Sequence, residues 1–220
     1  MPTPRLETPN APVRAVLSPH LDDAVLGAWS ALRGPGEVRV VNICTAVPAA
    51  GVLSAWDERT GATDSAARMR ERLLEDSAAL ARAGRRSVGL GFLEVQYRSG
   101  PPSAGELRDA IGAATQDAGE VWAPAGIGEH PDHVLVRDAA LALARASGPP
   151  LRLYAELPYS AGPGGWPQRF ASQLVELGDE EAERKLAALR EYSTQFAALD
   201  RDGCLTDPRV NRREASWPQA

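Results

Sequence analysis

Short runs of β-branched and aliphatic residues alternate with longer amphipathic stretches along the chain. The apolar runs predict strands, because a strand buried on both faces of a sheet is apolar at nearly every position. Amphipathic stretches that end near glycine predict helices between them. The predicted strands cover residues 12–18, 37–47, 87–94, 120–124, 151–159 and 172–178. The predicted helices cover residues 21–33, 63–84, 105–116, 134–146 and 179–199.

This alternation of strands and helices with short links predicts an α/β fold. We expect a single-domain, Rossmann-like three-layer sandwich over residues 1–220, with a mostly parallel sheet and right-handed crossovers. Its core covers about residues 13–199, and residues 200–220 are expected to form an irregular tail. Ligands of such sheets bind beyond the carboxyl ends of the strands, so the residues that follow each strand are the candidates for function.

Composition and charge exclude several classes of protein. Hydrophobic residues make up 44% and charged residues 24% of the chain, which is typical of a soluble globular protein and not of a disordered one. A net charge of −5 does not favour binding to nucleic-acid phosphates. The apolar runs are far shorter than the roughly 18 residues that span a bilayer, and the polar N-terminal segment has no signal-peptide core. Cys44 and Cys204 form no disulfide framework, so we expect a cytoplasmic protein.

All three histidines of the chain follow predicted strands. His20 follows the first strand in SPHLDD, whereas His130 and His133 follow the fourth strand in EHPDH. The carboxyl ends of parallel strands share one rim of the sheet, and each segment also carries aspartates, so the sequence predicts a metal site there. His20 and Asp23 are three residues apart where the strand turns into a helix, which puts both side chains on one face of its first turn.

A catalytic zinc set of two nitrogens and one oxygen follows from these positions. His20, Asp23 and His133 would bind the ion and leave a fourth position for water, whose pKa zinc lowers toward about 7. Asp22 is then expected to take a proton from that water. His130 is expected to stabilise an oxyanion or to protonate a leaving group.

Asp132 lies between the two histidines of EHPDH, and we expect it to orient His130 and to raise its pKa. Other interpretations of the first segment are weaker. Asp22 or Asp23 can simply cap the following helix. The first strand is not followed by G-x-G-x-x-G, and the chain has no G-x-S-x-G, so neither dinucleotide binding nor a serine hydrolase is supported.

The segments SPHLDDAVLG and GEHPDH resemble the two signature motifs of the LmbE-like family. This family includes the N-acetylglucosaminyl-phosphatidylinositol de-N-acetylases, the PIG-L proteins, and its motifs usually read A-H-P-D-D-E and H-P-D-H. RLLEDSAALARAG and KLAALREYSTQ resemble two further helices of the family, so the resemblance covers about residues 13–199. Leu21 and Ala24 depart from the first motif, at positions that are not metal ligands.

The resemblance implies a zinc-dependent hydrolase that removes an acetyl group from the amide of an N-acetylated amino sugar or glycoside. Matching motif positions give the roles already described, and Fe²⁺ can take the place of Zn²⁺. The resemblance adds Arg72, in RLLED, as a residue that contacts substrate hydroxyls. A solvated helix face is the alternative for Arg72.

Other functions stay open at this point. They are a metal-dependent hydrolase of another small amide or ester, a non-catalytic carbohydrate-binding relative and a purely structural metal site. Two-metal phosphoesterases need more carboxylates than this set offers, and structural zinc sites usually have four protein ligands. Trp56, Asp57, Tyr159 and Trp166 lie in loops that are candidates to cover the site and to stack on a sugar ring.

Overall fold

The computed structural model describes residues 12–146, 148–161 and 173–219. In this part of the chain, seven strands form one sheet in the order β3-β2-β1-β4-β5-β7-β6. They are β1 (Val13–Ser18), β2 (Val38–Asn42), β3 (Ser87–Gly89), β4 (Ala118–Pro124), β5 (Leu151–Tyr154), β6 (Gln173–Glu176) and β7 (Arg213–Gln219). Strands β1 to β5 pair in parallel, whereas β7 is antiparallel to both β5 and β6.

Helices cover both faces of the sheet. They are α1 (Asp23–Gly27), α2 (Trp29–Arg33), α3 (Ala55–Arg59), α4 (Ser65–Ala83), α5 (Ala104–Thr115), α6 (Pro131–Arg145), α7 (Asp179–Leu189), α8 (Phe196–Leu199) and α9 (Pro208–Asn211). Alternate residues of β1 point to opposite faces: Val16 packs with α1, α2, α4 and α7, and Leu17 packs with α5 and α6. The predicted α/β sandwich with a mostly parallel sheet is therefore confirmed.

The order of the strands reverses at β1. From β1 the chain passes to β2 and β3 on one side, and it then returns to β4 and β5 on the other side. Parallel sheets open a crevice at such a switch point, beyond the carboxyl ends of the two central strands. The segments that follow β1 and β4 therefore meet in that crevice, and they are the two segments that carry the histidines.

The predicted helix over 21–33 is two helices, α1 and α2, which are separated at Ala28 (φ −133°). Glu214 of β7 explains the break. Its carboxylate accepts hydrogen bonds from the backbone N–H of Trp29 at 2.9 Å and of Ser30 at 2.8 Å. In a continuous helix these N–H groups would donate to carbonyls of the same helix. Here a carboxylate from a distant strand accepts from them instead.

Several predicted elements are shorter in the structure. The predicted strand over 87–94 is regular only at Ser87–Gly89, and the predicted strand over 151–159 ends at Tyr154. The predicted helix over 179–199 ends at Leu189 and resumes as α8. Leu90 and Phe92 after β3 and Leu157 after β5 still pack in or against the core, so the apolar pattern continues beyond the regular strands.

The prediction of an irregular tail over 200–220 is wrong. Strand β7 lies inside the sheet, with Leu153 opposite Trp217 and Val175 opposite Glu214. The strand contains Pro218 and a buried carboxylate, so its sequence lacks the apolar pattern of the other strands. Lys185 compensates the charge of Glu214 at 2.8 Å, which lets a polar residue lie in a buried strand.

Helices that are both long and apolar enough to cross a bilayer do not occur in the described ranges.

Candidate active site

A tight turn after β1 presents His20 and Asp23 on the same side. The Ser18 hydroxyl donates to the His20 carbonyl at 2.6 Å and accepts from the Ala24 N–H at 2.9 Å. The backbone N–H of His20 donates to Asp23 Oδ2 at 2.7 Å. These short-range bonds fix the turn, so the sequence SPHLDD determines its own local geometry.

The segment after β4 brings His133 to the same place. His130 is the N-cap of α6, and Pro131 occupies the first helical position, where its missing N–H costs nothing. His133 therefore lies in the first turn of α6 and is fully buried (0% exposed). Its Nε2 lies 3.2 Å from Asp23 Oδ2 and 3.3 Å from His20 Nδ1.

The three predicted ligand atoms form a nearly equilateral triangle. Its third edge, from His20 Nδ1 to Asp23 Oδ2, is 3.3 Å. A tetrahedral zinc ion with bonds of about 2.0–2.1 Å holds its ligand atoms about 3.3 Å apart. The donor set therefore fits zinc in both chemistry and spacing.

His130 lies beside this triangle. The ligand atoms of His20, His130 and His133 are within 4.8 Å of one another, and these three residues form an alternative set of ligands. The 4.8 Å limit for the three histidines is wider than the 3.2–3.3 Å edges of the triangle. The Nδ1 atom of His130 also accepts a hydrogen bond from the Asp132 N–H at 3.3 Å, so we favour the set that contains Asp23.

Buried carboxylates hold the second nitrogen of each ligand histidine. His20 Nε2 lies 2.9 Å from Asp132 Oδ2, and His133 Nδ1 lies 3.2 Å from Glu156 Oε1. A carboxylate accepts a hydrogen bond, so these contacts leave Nδ1 of His20 and Nε2 of His133 free to bind an ion. The sequence analysis missed Glu156, although an acid that follows a buried strand at this rim was a usable signal.

The prediction that the carboxylate of Asp132 orients His130 is wrong. Besides His20, the carboxylate accepts from the Val95 N–H at 3.0 Å and from Arg98 Nη2 at 2.5 Å. Burial raises the pKa of Asp132, but its hydrogen bond with His20 and these two donors outweigh burial and hold the pKa well below its usual range. Only the backbone N–H of Asp132 contacts His130 in the described structure.

The predicted protonation of His130 is also wrong. Burial lowers the pKa of His130 to about 4, the positive charges of His20 and His133 add to that effect, and the charge of Asp132 opposes it without overcoming it. The neutral ring accepts at Nδ1, so its proton is on Nε2.

Asp22 and Asp23 differ in acidity. Burial and the charge of Asp23 raise the pKa of Asp22 to about 6, although Arg72 and His20 lower it. Burial also raises the pKa of Asp23, but the charge of His133 and hydrogen bonds with His133 and His20 hold it well below its usual range. Asp22 is the N-cap of α1, yet its side chain makes no capping hydrogen bond in the described structure and lines the pocket instead.

A cavity of about 290 Å³ opens beside the triangle. Polar residues of its lining are His20, Asp22, Asp23, Arg72, Glu94, Gln96, His130 and Gln195. Apolar and aromatic residues of its lining are Leu26, Trp56, Val95, Leu157, Pro158, Tyr159 and Leu199. Its volume is at the lower end of the range for small-molecule sites, roughly 300–1,000 Å³.

Arg72 lines this cavity and is buried, which excludes a solvated helix face. Its Nη1 lies 2.7 Å from Glu94 Oε1. Sequence reasoning missed Glu94. Its contact with Arg72 of α4 depends on the path that the segment after β3 takes across the carboxyl ends of the strands.

The four predicted loop residues have different positions. Trp56 and Tyr159 line the cavity, and the Trp56 indole donates to Gln195 Oε1 at 2.7 Å. Asp57 is fully buried and accepts from the Tyr97 hydroxyl at 2.7 Å, so it does not cover the site. Trp166 lies outside the described residues.

No family model matches the chain. A curated relative, the 2'-N-acetylparomamine deacetylase of Streptomyces fradiae, is 30% identical over 165 residues, or 66% of this chain. The match spans 57% of the length of that enzyme.

Solved structures match nearly the whole chain. A deacetylase of an antimicrobial pseudoaglycone is 31% identical, with a TM-score of 0.74, and the match covers 95% of this chain and 97% of that one. The chain belongs to the LmbE/PIG-L family. Two further structures from this family each match 94% of this chain and 97% of their own. They are a triple mutant of a deacetylase from the teicoplanin biosynthetic pathway (28% identity, TM-score 0.79) and the zinc-inhibited form of teicoplanin deacetylase (26%, TM-score 0.75).

Proposed function

We propose that this chain is a metal-dependent N-deacetylase that removes the acetyl group from an N-acetylated amino sugar or glycoside. The triangle of His20 Nδ1, Asp23 Oδ2 and His133 Nε2, with edges of 3.2–3.3 Å beside Asp22 and His130, carries the proposal. The names of its relatives support the substrate class, since they act on acetylparomamine, teicoplanin and a pseudoaglycone.

The proposed ion is Zn²⁺, with Fe²⁺ as a substitute, because histidine and carboxylate ligands do not select strictly between them. When bound, such an ion lowers the pKa of a coordinated water toward about 7 and polarises a carbonyl oxygen. The zinc-inhibited form of teicoplanin deacetylase shows that zinc inhibits that relative. Metal content and activity must therefore be measured together over a range of zinc concentrations.

Asp22 moves the proton in the proposed reaction. Its carboxylate takes a proton from the water as the water oxygen attacks the amide carbon, and it returns that proton to nitrogen as the C–N bond breaks. Acetic acid and a free amine are the products, and at neutral pH they ionise to acetate and an ammonium ion. Asp22 lines the cavity and its side chain makes no capping hydrogen bond in the described structure, so its carboxylate is available for both proton transfers.

His130 and Arg72 hold the substrate. The Nε2–H of His130 donates to the oxygen that gains negative charge, and this interaction is strongest in the transition state. Arg72 faces the cavity from α4 and is proposed to donate to substrate hydroxyls. Asp132 is proposed to act through His20, because its carboxylate fixes the ring of that ligand.

The proposal predicts about one zinc ion per chain. Metal-free protein loaded with zero to three equivalents of zinc or Fe²⁺ is assayed for acetate and amine release on a panel of N-acetylated sugars and glycosides. His133→Ala should lose both the metal and turnover, because it removes one corner of the triangle. Metal content and turnover equal to wild type in His133→Ala would contradict the ligand set.

The same panel separates the alternatives. Release from simple amides or esters alone would favour a hydrolase of another small substrate. Sugar binding without acetate release at every metal loading would favour a non-catalytic carbohydrate-binding relative.

A further inference from the structure

We infer that Glu156 is a positioning residue that ties the proposed metal ligand His133 to the loop that carries His130. This inference rests on the proposed function for the roles of the two histidines. We call residues 125–130 the His130 loop. Glu156 follows β5 and is fully buried (0% exposed).

One carboxylate contacts both parts of the site. Its Oε1 lies 3.2 Å from His133 Nδ1 and accepts from the Gly126 N–H at 2.6 Å. Its Oε2 accepts from the Ile127 N–H at 3.4 Å. The ligand ring and the start of the His130 loop thus share a single oxygen atom, so they cannot move independently while Glu156 is in place.

The His130 loop needs such a support. Gly126 (φ 75°), Gly128 (φ 81°) and Glu129 (φ 58°) all have left-handed backbone conformations. Glu129 directly precedes His130, and a residue with a Cβ adopts this conformation only where surrounding contacts impose it. Glycine adopts this conformation without cost, so Glu129 is the position of the loop that surrounding contacts hold in place.

Further contacts between the loop and the segment that carries Glu156 agree with this role. The Ala125 N–H donates to the Tyr154 carbonyl at 2.9 Å, which joins the loop to the end of β5. Tyr159 packs on Gly128, where an added Cβ would lie 2.5 Å from the ring. Residues 154–159 thus form one wall that carries the loop, and Glu156 is its charged member.

Substitutions at Glu156 separate its two tasks. Glu156→Gln keeps one carbonyl oxygen that can still accept from both Gly126 and His133. Glu156→Asp keeps the charge but is one methylene shorter, so it cannot reach both donors, and Glu156→Leu removes both bonds. Glu214→Gln is the matched control, because Glu214 is also buried and accepts two backbone N–H bonds, but it caps α2 away from the cavity.

Two measurements test the inference. Zinc affinity, from competition with a chromophoric chelator, should fall about 10- to 100-fold in Glu156→Leu, as is usual when the partner of a ligand histidine is lost. Amide hydrogen exchange of residues 126–130, measured on the metal-free proteins, should rise about tenfold or more in Glu156→Leu and Glu156→Asp, because the Gly126 N–H loses its acceptor. Glu156→Gln should stay within about threefold of wild type in exchange, which is rescue by the conservative variant.

The control should keep wild-type zinc affinity and wild-type exchange in the His130 loop, even where its thermal stability falls. Unchanged zinc affinity and unchanged loop exchange in both Glu156→Leu and Glu156→Asp would overturn the inference. Wild-type protein that binds no zinc would instead contradict the proposed function. The exchange data on the metal-free proteins would still decide whether Glu156 holds the loop.

Discussion

Asp22 and Asp23 are neighbours in the sequence, yet their surroundings give them opposite acidities. Asp23 contacts two histidines, which keep its pKa low, whereas Asp22 is buried against the charge of Asp23, which raises its pKa to about 6. Adjacent carboxylates with separated pKa values are typical of sites where one binds charge and the other moves protons.

Asp22→Asn should keep the metal and lose rate by a factor on the order of 10² to 10⁴, the usual contribution of a general base. The amide matches the carboxylate in size, and the triangle does not include Asp22. Metal analysis and kcat on the same preparation check this prediction. Loss of metal together with activity would remove the distinction between Asp22 and Asp23.

His130→Ala should lower kcat by a factor on the order of 10² to 10³, the effect of losing one oxyanion donor, with KM within a few-fold and the metal retained. The pKa of about 4 makes His130 neutral throughout the working range, and a nearby cation lowers the pKa of an imidazole further. The kcat profiles of wild type and mutant should therefore run parallel between about pH 7 and 9. If kcat fell at alkaline pH in wild type and did not fall in the mutant, His130 would be acting as an imidazolium.

The sequence predicted which residues of this site meet, but not all of their partners. His20, Asp23 and His133 follow from the end of two adjacent strands and from local turn chemistry. The carboxylate of Asp132 could not be assigned, because it turns toward Val95 and Arg98, which are 37 and 34 residues away along the chain.

At the scale of elements, α4 docks on the turn after α7. Glu75 accepts from the Ser193 hydroxyl and from the N–H and hydroxyl of Thr194, each at 2.8 Å. The Tyr192 hydroxyl lies 3.1 Å from Asp76 Oδ1 and 3.0 Å from the Leu21 carbonyl. The two helical segments that resembled the family in sequence thus pack together and support the turn that carries His20.

Asp76→Asn should stabilise the protein near pH 7.5. The Tyr192 hydroxyl has one proton for two acceptors, the Leu21 carbonyl and Asp76 Oδ1, so one of these contacts gains when position 76 supplies a proton, as a protonated Asp76 or an asparagine does. Burial raises the pKa of Asp76 to about 6, although hydrogen bonds from Ser87, Asn42 and Tyr192 oppose the shift.

The direction in which this stability effect changes with pH follows from the difference in proton binding between the folded and unfolded states. The folded state binds the Asp76 proton more tightly than the unfolded state, so the contribution of Asp76 to stability is greatest in acid and is lost as the pH rises from 3.8 through about 6. The shift from 3.8 to about 6 corresponds to roughly 3 kcal/mol, which is the upper bound of the gain in Asp76→Asn. Urea unfolding between about pH 4 and 7.5 should show that gain shrinking toward zero in acid. A difference that does not change with pH would contradict the raised pKa.

At the scale of the whole molecule, alternating strand and helix signals were sufficient to predict the sandwich and the rim that holds the site. The place of β7 was not predictable in this way. Its buried positions include Glu214, which is paired with Lys185 and caps α2, so its pattern reflects long-range partners and not burial alone. Sequence periodicity reports the average environment of a strand, and it fails where a buried charge has its own partners.

Lys185→Met should destabilise the fold by about 3–5 kcal/mol, because it leaves the buried Glu214 carboxylate without its counter-charge. Lys185 is 0% exposed, and its pair with Glu214 joins α7 to β7, while Glu214 itself accepts from the N–H of Trp29 at the start of α2. Arg184→Met on the same helix is the control, since Arg184 is 48% exposed and its pairs with Glu180 and Glu181 should contribute less than about 1 kcal/mol. Equal urea midpoints for the two variants would show that the Lys185–Glu214 pair is not needed.

The cavity wall and the triangle come from different parts of the chain. The groups proposed to react follow the two central strands, whereas Trp56, Gln96, Tyr159, Gln195 and Leu199 come from segments farther out on the rim. A duplicated gene could therefore acquire a new substrate through changes in the outer segments alone, while the inherited chemistry stays intact at every step. Such an arrangement lets one reaction spread across many acetylated metabolites without being invented again.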